Sequence, residues 1–466
     1  MNEKKPSPLS AQSNRRTFIQ HTATAAAAVA TVNLFKTPVY GQNQAPSTGR
    51  VIGANDRIVV GFVGVGGQGM AHVNSMTQHA GGNNISVAAV CDVSKTRVAE
   101  AQKSVKKTLN TDAEGYEDYR RLLERNDIDA ICCATVDHWH TRVSVDSMNT
   151  GKHVYVEKPM TRYLSEAFEI YDACKRTGKI LQVGSQGCSD LKWHKAASLI
   201  REGRIGPAVM SQGSYMRNAP KGEWNYPIKD WATASDINWE MWLGSQIKAR
   251  QSFDPDHYFR WRKYFPYCSG LLGDLFPHKL HPYMLATGNP QFPTRVASVG
   301  SQKVETDKNT PGTHMRDVRE IVQMIAEFPD GMVMHITSSS VNETGTQEMI
   351  RGHKATLTMQ GNKIVLTPER YFAEEVESAT FSDMNGQPFI GEPISVHEKN
   401  WFDCIRTSKQ PTAGIDLAVK VQTVISLAEM SDRMNMMCLF DEKTRKITDG
   451  SGRELKSPTY GTFERS

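Results

Sequence analysis

From Arg57 onward the chain alternates between short apolar runs and stretches of helical periodicity. Residues 58–65 are β-branched and apolar throughout, the pattern of a strand covered on both faces. A helical stretch follows at 70–77, and a second strand at 85–91. Helices are predicted at 98–108 and 119–125, then a short buried strand at 130–134. The helix at 141–149 stops at Gly151, a residue suited to a left-handed helix end. Strand 153–156, helix 164–177 and strand 180–183 complete the series. Strands alternating with helices predict a parallel sheet with right-handed crossovers, which binds ligands at the carboxyl ends of its strands.

Beyond Gly184 the alternation stops. Residues 191–202 read as an amphipathic helix. Apolar runs at 321–328 and 332–338 flank Pro329-Asp330-Gly331, and those at 355–359 and 364–367 flank Gln360-Gly361-Asn362. These are hairpin signals and predict a largely antiparallel sheet. Helices at 401–406 and 418–433 follow. A long irregular segment, 215–269, is rich in Trp, Tyr, Arg and Pro. The expected layout is an export signal over 1–41, a nucleotide-binding domain over 52–184, an α+β domain over 185–435 for substrate binding and oligomerisation, and a tail over 436–466.

The amino terminus carries Arg15-Arg16-Thr17-Phe18 followed by an alanine-rich, weakly apolar stretch at 22–35. This resembles a twin-arginine export signal and is too short for a convincing membrane span. That pathway carries folded proteins, so a bound cofactor travels inside the protein to the periplasm or beyond. No later segment reads as a transmembrane helix. A net charge of +5 over 466 residues, with no long basic run, gives no support for a nucleic-acid partner. The eight cysteines are scattered without C-x-x-C spacing and read as small packing residues.

The first predicted strand runs into Gly64-Val65-Gly66-Gly67-Gln68-Gly69, a G-x-G-x-x-G turn with a helix after it. Gly64 permits the turn, Gly66 lets backbone approach a pyrophosphate, and Gly69 lets the helix sit against the strand. The helix N-terminus offers unpaired N–H groups to phosphates. Asp92, at the end of the second strand, can accept from both ribose hydroxyls of an adenosine. Its charge opposes a 2′-phosphate and favours NAD, while Lys95 and Arg97 keep NADP open. The fold class is therefore α/β: a Rossmann domain followed by an α+β domain on a large, mostly antiparallel sheet.

Three further motifs stand at predicted strand ends or in the second domain: the loop Asp137-His138-Trp139-His140, Glu157-Lys158-Pro159, and Asp274-x-x-x-His278. With the glycine turn, they resemble the glucose-fructose oxidoreductase / inositol dehydrogenase family, called Gfo/Idh/MocA, from about Arg57 to Asp432. The resemblance implies that Lys158 polarises the reacting oxygen, that His278 is the general acid/base, and that Asp274 binds substrate or orients His278. It implies that Glu157, Thr135, Asp137 and His140 flank the nicotinamide. Elementary chemistry agrees: an ammonium stabilises a developing alkoxide, and an imidazole titrates near neutrality. Asp274 and His278, four residues apart, share a face if one helix carries both. A metal held by Asp274, His278 and His281 is the competing reading of the same spacing.

Stacking aromatics and arginines at Tyr258, Arg260 and Trp261 are candidates for binding sugar. Gln186 and His281 join them. Family members commonly carry a basic residue just after the strand at Val183, and here the stretch is Gly184-Ser185-Gln186-Gly187-Cys188. The expected activity is hydride transfer between a tightly held NAD(P) and a sugar, polyol or glycoside. Alternatives are a redox-neutral NAD-dependent glycosidase or lyase, and a non-catalytic sugar-binding relative. The expected assembly is a dimer or tetramer.

Overall fold

The computed structural model describes residues 56–247 and 252–461. The expected export signal lies outside them. Strands β1 (Ile58–Val63), β2 (Ile85–Cys91), β3 (Glu114–Tyr116), β4 (Ala130–Cys133), β5 (His153–Glu157) and β6 (Leu181–Gly184) form one sheet in the order β3-β2-β1-β4-β5-β6. Every pairing in it is parallel. Helices α1 (Gly67–Gln78), α2 (Lys95–Leu109), α3 (Asp137–Asn149) and α4 (Leu164–Thr177) make the crossovers. The order reverses between β1 and β4, and that switch point opens a crevice at the carboxyl edge. The expected Rossmann architecture is present.

After β6 come α5 (Leu191–Arg201), α6 (Leu271–Asp274), α7 (Pro277–Ala286), α8 (Ile394–Thr407) and α9 (Ile415–Met434). The second sheet has twelve strands. Its centre runs Met349–Gly352, Ala208–Asn218, Val333–Ser339, Ile321–Glu327, Arg295–Ser301. Ala208–Asn218 and Val333–Ser339 pair in parallel, and the other pairings are antiparallel. Both expected hairpins form, with Val333 opposite Glu327 and Met359 opposite Ile364. Helix α9 is buried along nearly its whole length beneath this sheet, and Asp432 and Ser431 accept from the Gly300 and Ser298 amides.

Asp137–His140, expected as a loop, form the first turn of α3, and two domain boundaries also differ from expectation. Residues 436–461, expected as part of a tail, are built into the fold: Cys438–Asp441, Lys446–Thr448 and Glu454–Leu455 extend the large sheet beyond Arg295–Ser301. Strands of two to four residues are too short to show a period in the sequence. The Tyr460 hydroxyl then reaches Glu166 on α4 at 2.9 Å. Helix α8 lies inside the expected substrate domain but packs on the first sheet, where Trp401 and Phe402 join the core built by Val60, Phe62 and Tyr155. The two sheets thus share their packing. Arg162, just past Lys158-Pro159, adds a buried bidentate pair with Glu429 of α9 at 2.7 and 2.8 Å. That pair ties the loop carrying Lys158 to the second domain. The eight cysteines are buried and unpaired.

Candidate active site

Strand β1 ends at Val63, and the chain turns at Gly64 with φ +83°. A Cβ on Gly64 would lie 2.6 Å from the Thr135 amide nitrogen, and one on Gly69 would lie 2.0 Å from the Gly64 carbonyl oxygen. Only glycine fits either position, so α1 sits directly on the turn. No side chain caps its N-terminus, which leaves first-turn N–H groups open to a phosphate. The Val65 amide donates to Asp92 Oδ2 at 2.9 Å and the Ser94 amide to Oδ1 at 3.0 Å. Asp92 thus braces the turn, while Ser94 caps α2.

A cavity of about 670 Å³ runs along this edge. At the glycine end, Arg97 lies over Gly66, its Nη1 within 3.0 Å of where a Cβ would sit, and 4.8 Å from the Tyr258 ring. Tyr258, expected among the sugar-binding residues, therefore stands at the glycine-turn end of the cavity and not beside Lys158 and His278. It arrives on a strap from the irregular segment. Asp236 on that strap accepts from Ser94 Oγ at 2.6 Å, the Thr96 amide at 3.0 Å and Thr96 Oγ1 at 2.6 Å. The Asn238 amide donates to the Val93 carbonyl, and the Trp139 indole to the Trp242 carbonyl. Lys95 is drawn to Ser235 on the same strap, so of the two basic residues only Arg97 lines the cavity.

At the other end, Lys158 follows β5, and its ammonium donates to Asp274 Oδ1 at 2.7 Å and to the Asp274 carbonyl at 3.0 Å. Arg262 Nε donates to the same Oδ1 at 3.0 Å, and the Trp224 indole to Oδ2 at 3.0 Å. Burial opposes ionisation of Asp274, but Lys158 and Arg262 outweigh it and hold the carboxyl far below the usual range. Burial also opposes the Lys158 ammonium, and Asp274 again prevails, raising its pKa. Asp274 is therefore a fixed anion that positions Lys158. His278 lines the same cavity, with Nδ1 3.4 Å from Glu392 and its ring 5.2 Å from that of Tyr215.

Asp274 and His278 do not share one helix. Asp274 ends α6 and Pro277 opens α7, because proline lacks the N–H needed mid-helix but suits a first turn. Both still face the cavity. His281 does not; it is buried one turn further along, with Nδ1 facing the Pro277 carbonyl. The three-ligand metal arrangement is therefore not formed. Arg260 also misses the cavity: its Nη1 donates to Asp256 at 2.5 Å and its Nε to the Tyr226 carbonyl at 2.9 Å. Trp261 and Gln186 do line it, though the Gln186 amide is engaged by Tyr155 and Glu157 at 3.2 Å each.

Glu157, Gly67, Gln68, Thr135, Asp137 and His140 line the middle. His140 Nδ1 donates to the Pro159 carbonyl at 2.7 Å, fixing the chain just after Lys158. Asp137 is 2 % exposed, and its Oδ2 has no hydrogen-bond partner among the described residues. Burial pushes its pKa up to about 7, against the pull of Arg262.

Two clusters were missed in the sequence. His72 on α1 is wholly buried between two carboxylates, Nε2 2.8 Å from Glu157 and Nδ1 2.7 Å from Glu398 of α8. Burial lowers its pKa, but the two carboxylates outweigh that and raise it to about 9, while Glu157 is held down to about 2. Gln68 adds a bond to Glu157 at 3.2 Å. The one signal available was that Gln68 and His72 are four apart on a helix. The second cluster is Arg262 with Trp224; the sequence signal for Arg262 was its place in the aromatic–arginine run.

Residues 58–185 match the model of the oxidoreductase family with an NAD-binding Rossmann fold, GFO_IDH_MocA. Among curated proteins, the chain is 27% identical over 235 residues to an alpha-N-acetylgalactosaminidase of Shewanella oneidensis, covering 47% of this chain and 50% of that protein. It is 27% identical over 217 residues to a glycosyl hydrolase family 109 protein of Shewanella baltica, covering 44% and 46%. The aligned stretch thus spans about half the length of these relatives. Among solved structures, an oxidoreductase domain protein from Kribbella flavida superposes with a TM-score of 0.64 at 19% identity, covering 83% of this chain and 100% of that one. An aldose-aldose oxidoreductase from Caulobacter crescentus gives 0.62 at 18%, covering 82% and 100%. A levoglucosan dehydrogenase solved with NADH and levoglucosan gives 0.61 at 17%, covering 82% and 98%. These structures share the two-domain fold. With the glycine turn, Asp92 and Glu157-Lys158-Pro159 in the expected places on its parallel sheet, the segment 58–185 is an NAD-binding Rossmann domain of the Gfo/Idh/MocA oxidoreductase family.

Proposed function

We propose that the chain is an NAD-dependent oxidoreductase acting on a CH–OH group of a sugar, polyol or glycoside, with its cofactor retained through turnover. The observation that carries this reading is that one cavity is lined by the glycine turn at one end and by Lys158 and His278 at the other. The residues fit a dinucleotide: the turn is a cradle that a Cβ at Gly64 would fill, and α1 leaves its N-terminus uncapped. Gly64, Gly66, Gly67 and Gln68 would hold the pyrophosphate, Asp92 the adenosine ribose, and Thr135, Asp137 and Glu157 the nicotinamide half. When bound, the nicotinamide accepts or supplies the hydride.

The chain's own groups divide the remaining work. Lys158, locked on Asp274, keeps its charge and directs an N–H at the substrate oxygen, where it stabilises an alkoxide. It cannot also take the hydroxyl proton, and neither can Asp274. His278 is the proton acceptor, with Nδ1 turned toward Glu392. The strap anchored by Asp236 supports slow cofactor exchange, and the Arg15-Arg16 leader supports export of an already loaded protein. NADP is the competing cofactor, with Arg97 as the cation for its phosphate. Exposed Val299 and Ile325 on the outer face of the large sheet support a homo-oligomer. Among the described residues, no helix is long and apolar enough to cross a membrane.

Mass spectrometry of the nucleotide released from purified protein, then sugar-dependent absorbance at about 340 nm, tests the reading. Absence of any pyridine nucleotide, or of any absorbance change over a broad sugar panel, overturns it. A redox-neutral glycosidase is favoured by one observation, the family 109 glycosidase relatives. In that case aryl glycosides release aglycone with no added cofactor and no net absorbance change at about 340 nm. Sugar binding with neither absorbance change nor aglycone release would favour a binding protein over both enzymes, and unchanged turnover in Lys158→Ala and His278→Ala would remove these two residues from their roles.

A further inference from the structure

Most charged side chains along the cavity are already paired. Glu157 is bonded by His72, Gln68 and Gln186, and Asp92 by two backbone amides. Arg217 at the rim pairs with Glu223 at 2.6 Å. Arg262 differs. Its Nε donates to Asp274, its guanidinium lies 4.1 Å over the Trp261 ring, and its side chain is 23% exposed. Among the described residues nothing accepts from its two terminal nitrogens. Lys158 leans on the same Asp274 oxygen. One carboxylate oxygen therefore answers two cations, and an unmatched positive charge faces the cavity beside the reacting position.

Among the described residues no other carboxyl nearby accepts from Arg262. Glu392 stands at His278. Asp137 has a buried, unpartnered Oδ2 and a pKa pushed up by burial. A sugar hydroxyl would leave the charge on Arg262 half-desolvated and unmatched, which is costly. An anionic oxygen pair matches the planar fork of two N–H groups.

We propose that the sugar taken at this site carries an anionic group, a carboxylate or a phosphate or sulfate ester, gripped by the terminal nitrogens of Arg262. The proposal rests on the reading of the cavity as a sugar oxidoreductase site. The test is calorimetric titration of the purified full-length protein, with its bound cofactor, using glucose, glucuronate, glucose 6-phosphate and glucose 6-sulfate, and likewise galactose and galacturonate. At least one anion is expected to bind about tenfold or more tightly than its neutral parent. That advantage should shrink as salt rises, vanish in Arg262→Gln, and survive in part in Arg262→Lys. Whether acid or ester wins identifies the source of the charge.

If every neutral parent binds as well as its anions, including the case where nothing binds, the proposal is overturned. It is also overturned if the anion keeps its advantage in a folded Arg262→Gln protein. Should that variant not fold, the wild-type ranking and its salt dependence decide. Absorbance at about 340 nm, followed in parallel, separates the two readings. Tight anion binding with no absorbance change on any sugar sinks the redox reading alone, and turnover without anion preference sinks this one alone.

Discussion

His72 Nε2 stands 2.8 Å from Glu157 Oε1 in a place that water does not reach, and the second ring nitrogen faces Glu398 at 2.7 Å. With a carboxylate on each side, the ring is an imidazolium. It links the helix that begins at the glycine turn to the strand that ends at Lys158. His72→Gln leaves two buried carboxylates without their cation, and removing one member of such a set costs on the order of 3–5 kcal/mol. The pH dependence follows from both shifts. His72, raised from 6.5 to about 9, contributes stability in full below pH 6.5 that is lost as pH climbs through 9. Glu157, lowered from 4.5 to about 2, contributes stability above pH 4.5 that is lost as pH falls toward 2. Melting temperature against pH should fall on the alkaline side in the wild type, and that limb should flatten in His72→Gln. A fall of equal size in both proteins would remove His72 from this role.

Lys158→Ala should lower turnover by about 10²–10⁴, as expected for loss of a charge aimed at a developing alkoxide. His278→Ala should do the same by removing the proton acceptor. Asp274→Asn should act through Lys158: kcat drops while the ammonium, no longer held by a carboxylate, titrates at lower pH. The alkaline limb of the kcat profile should move down in that variant, which a merely structural role for Asp274 would not produce.

Asp137 is predicted to be a site where function opposes stability. Its pKa rises from 3.8 to about 7 because the ionised form is buried. The folded protein therefore loses stability as pH rises from 3.8 through 7, since the unfolded chain ionises first. Asp137→Asn should melt higher than the wild type at pH 8 and no higher below pH 3.8. The same variant should bind cofactor or sugar more weakly, because Oδ2 has nothing else to serve. Unchanged affinity in both titrations would show the group to be idle.

Asp236 fastens the aromatic strap to the start of α2 through three short bonds. Asp236→Ala should raise the rate of nucleotide release roughly tenfold or more, since it removes three hydrogen bonds each contributing a net of about 0.5–1.5 kcal/mol. Stopped-flow fluorescence against a nucleotide trap reads this directly. Equal release rates in the two proteins would mean that the strap does not retain the cofactor.

The parts legible in the sequence were those set by local geometry. Gly64 and Gly69 are forced by backbone crowding within one turn, and Asp92 and Lys158 sit where strands end. The pattern resolved both hairpins because each was long enough to show its period. Arg260 and Arg262 could not be told apart. They are two residues apart across a short 3-10 turn, Trp261–Lys263, that sends one into an ion pair with Asp256 and the other into the cavity. His281 has the spacing of a partner for His278, but one turn of α7 carries it into the interior. The His72–Glu157–Glu398 set joins a helix, a strand and a distant helix, and no local pattern encodes such a meeting. The sequence marks Tyr258 as a binding aromatic, but only the path of the strap decides which end of the cavity it covers.

Helix α8 supplies Trp401, Phe402 and Glu398 to the first domain, and Tyr460 braces α4 from beyond the last strand. The first domain is therefore completed by residues that lie far downstream in the sequence, beyond most of the second sheet. Without Ile394–Thr407 the first sheet lacks a helix that packs on it, and His72 keeps only one of its two carboxylate partners. Nucleotide loading accordingly depends on both domains, and a protein truncated before Ile394 should be unable to hold the ligand for which most of the lining residues are already in place.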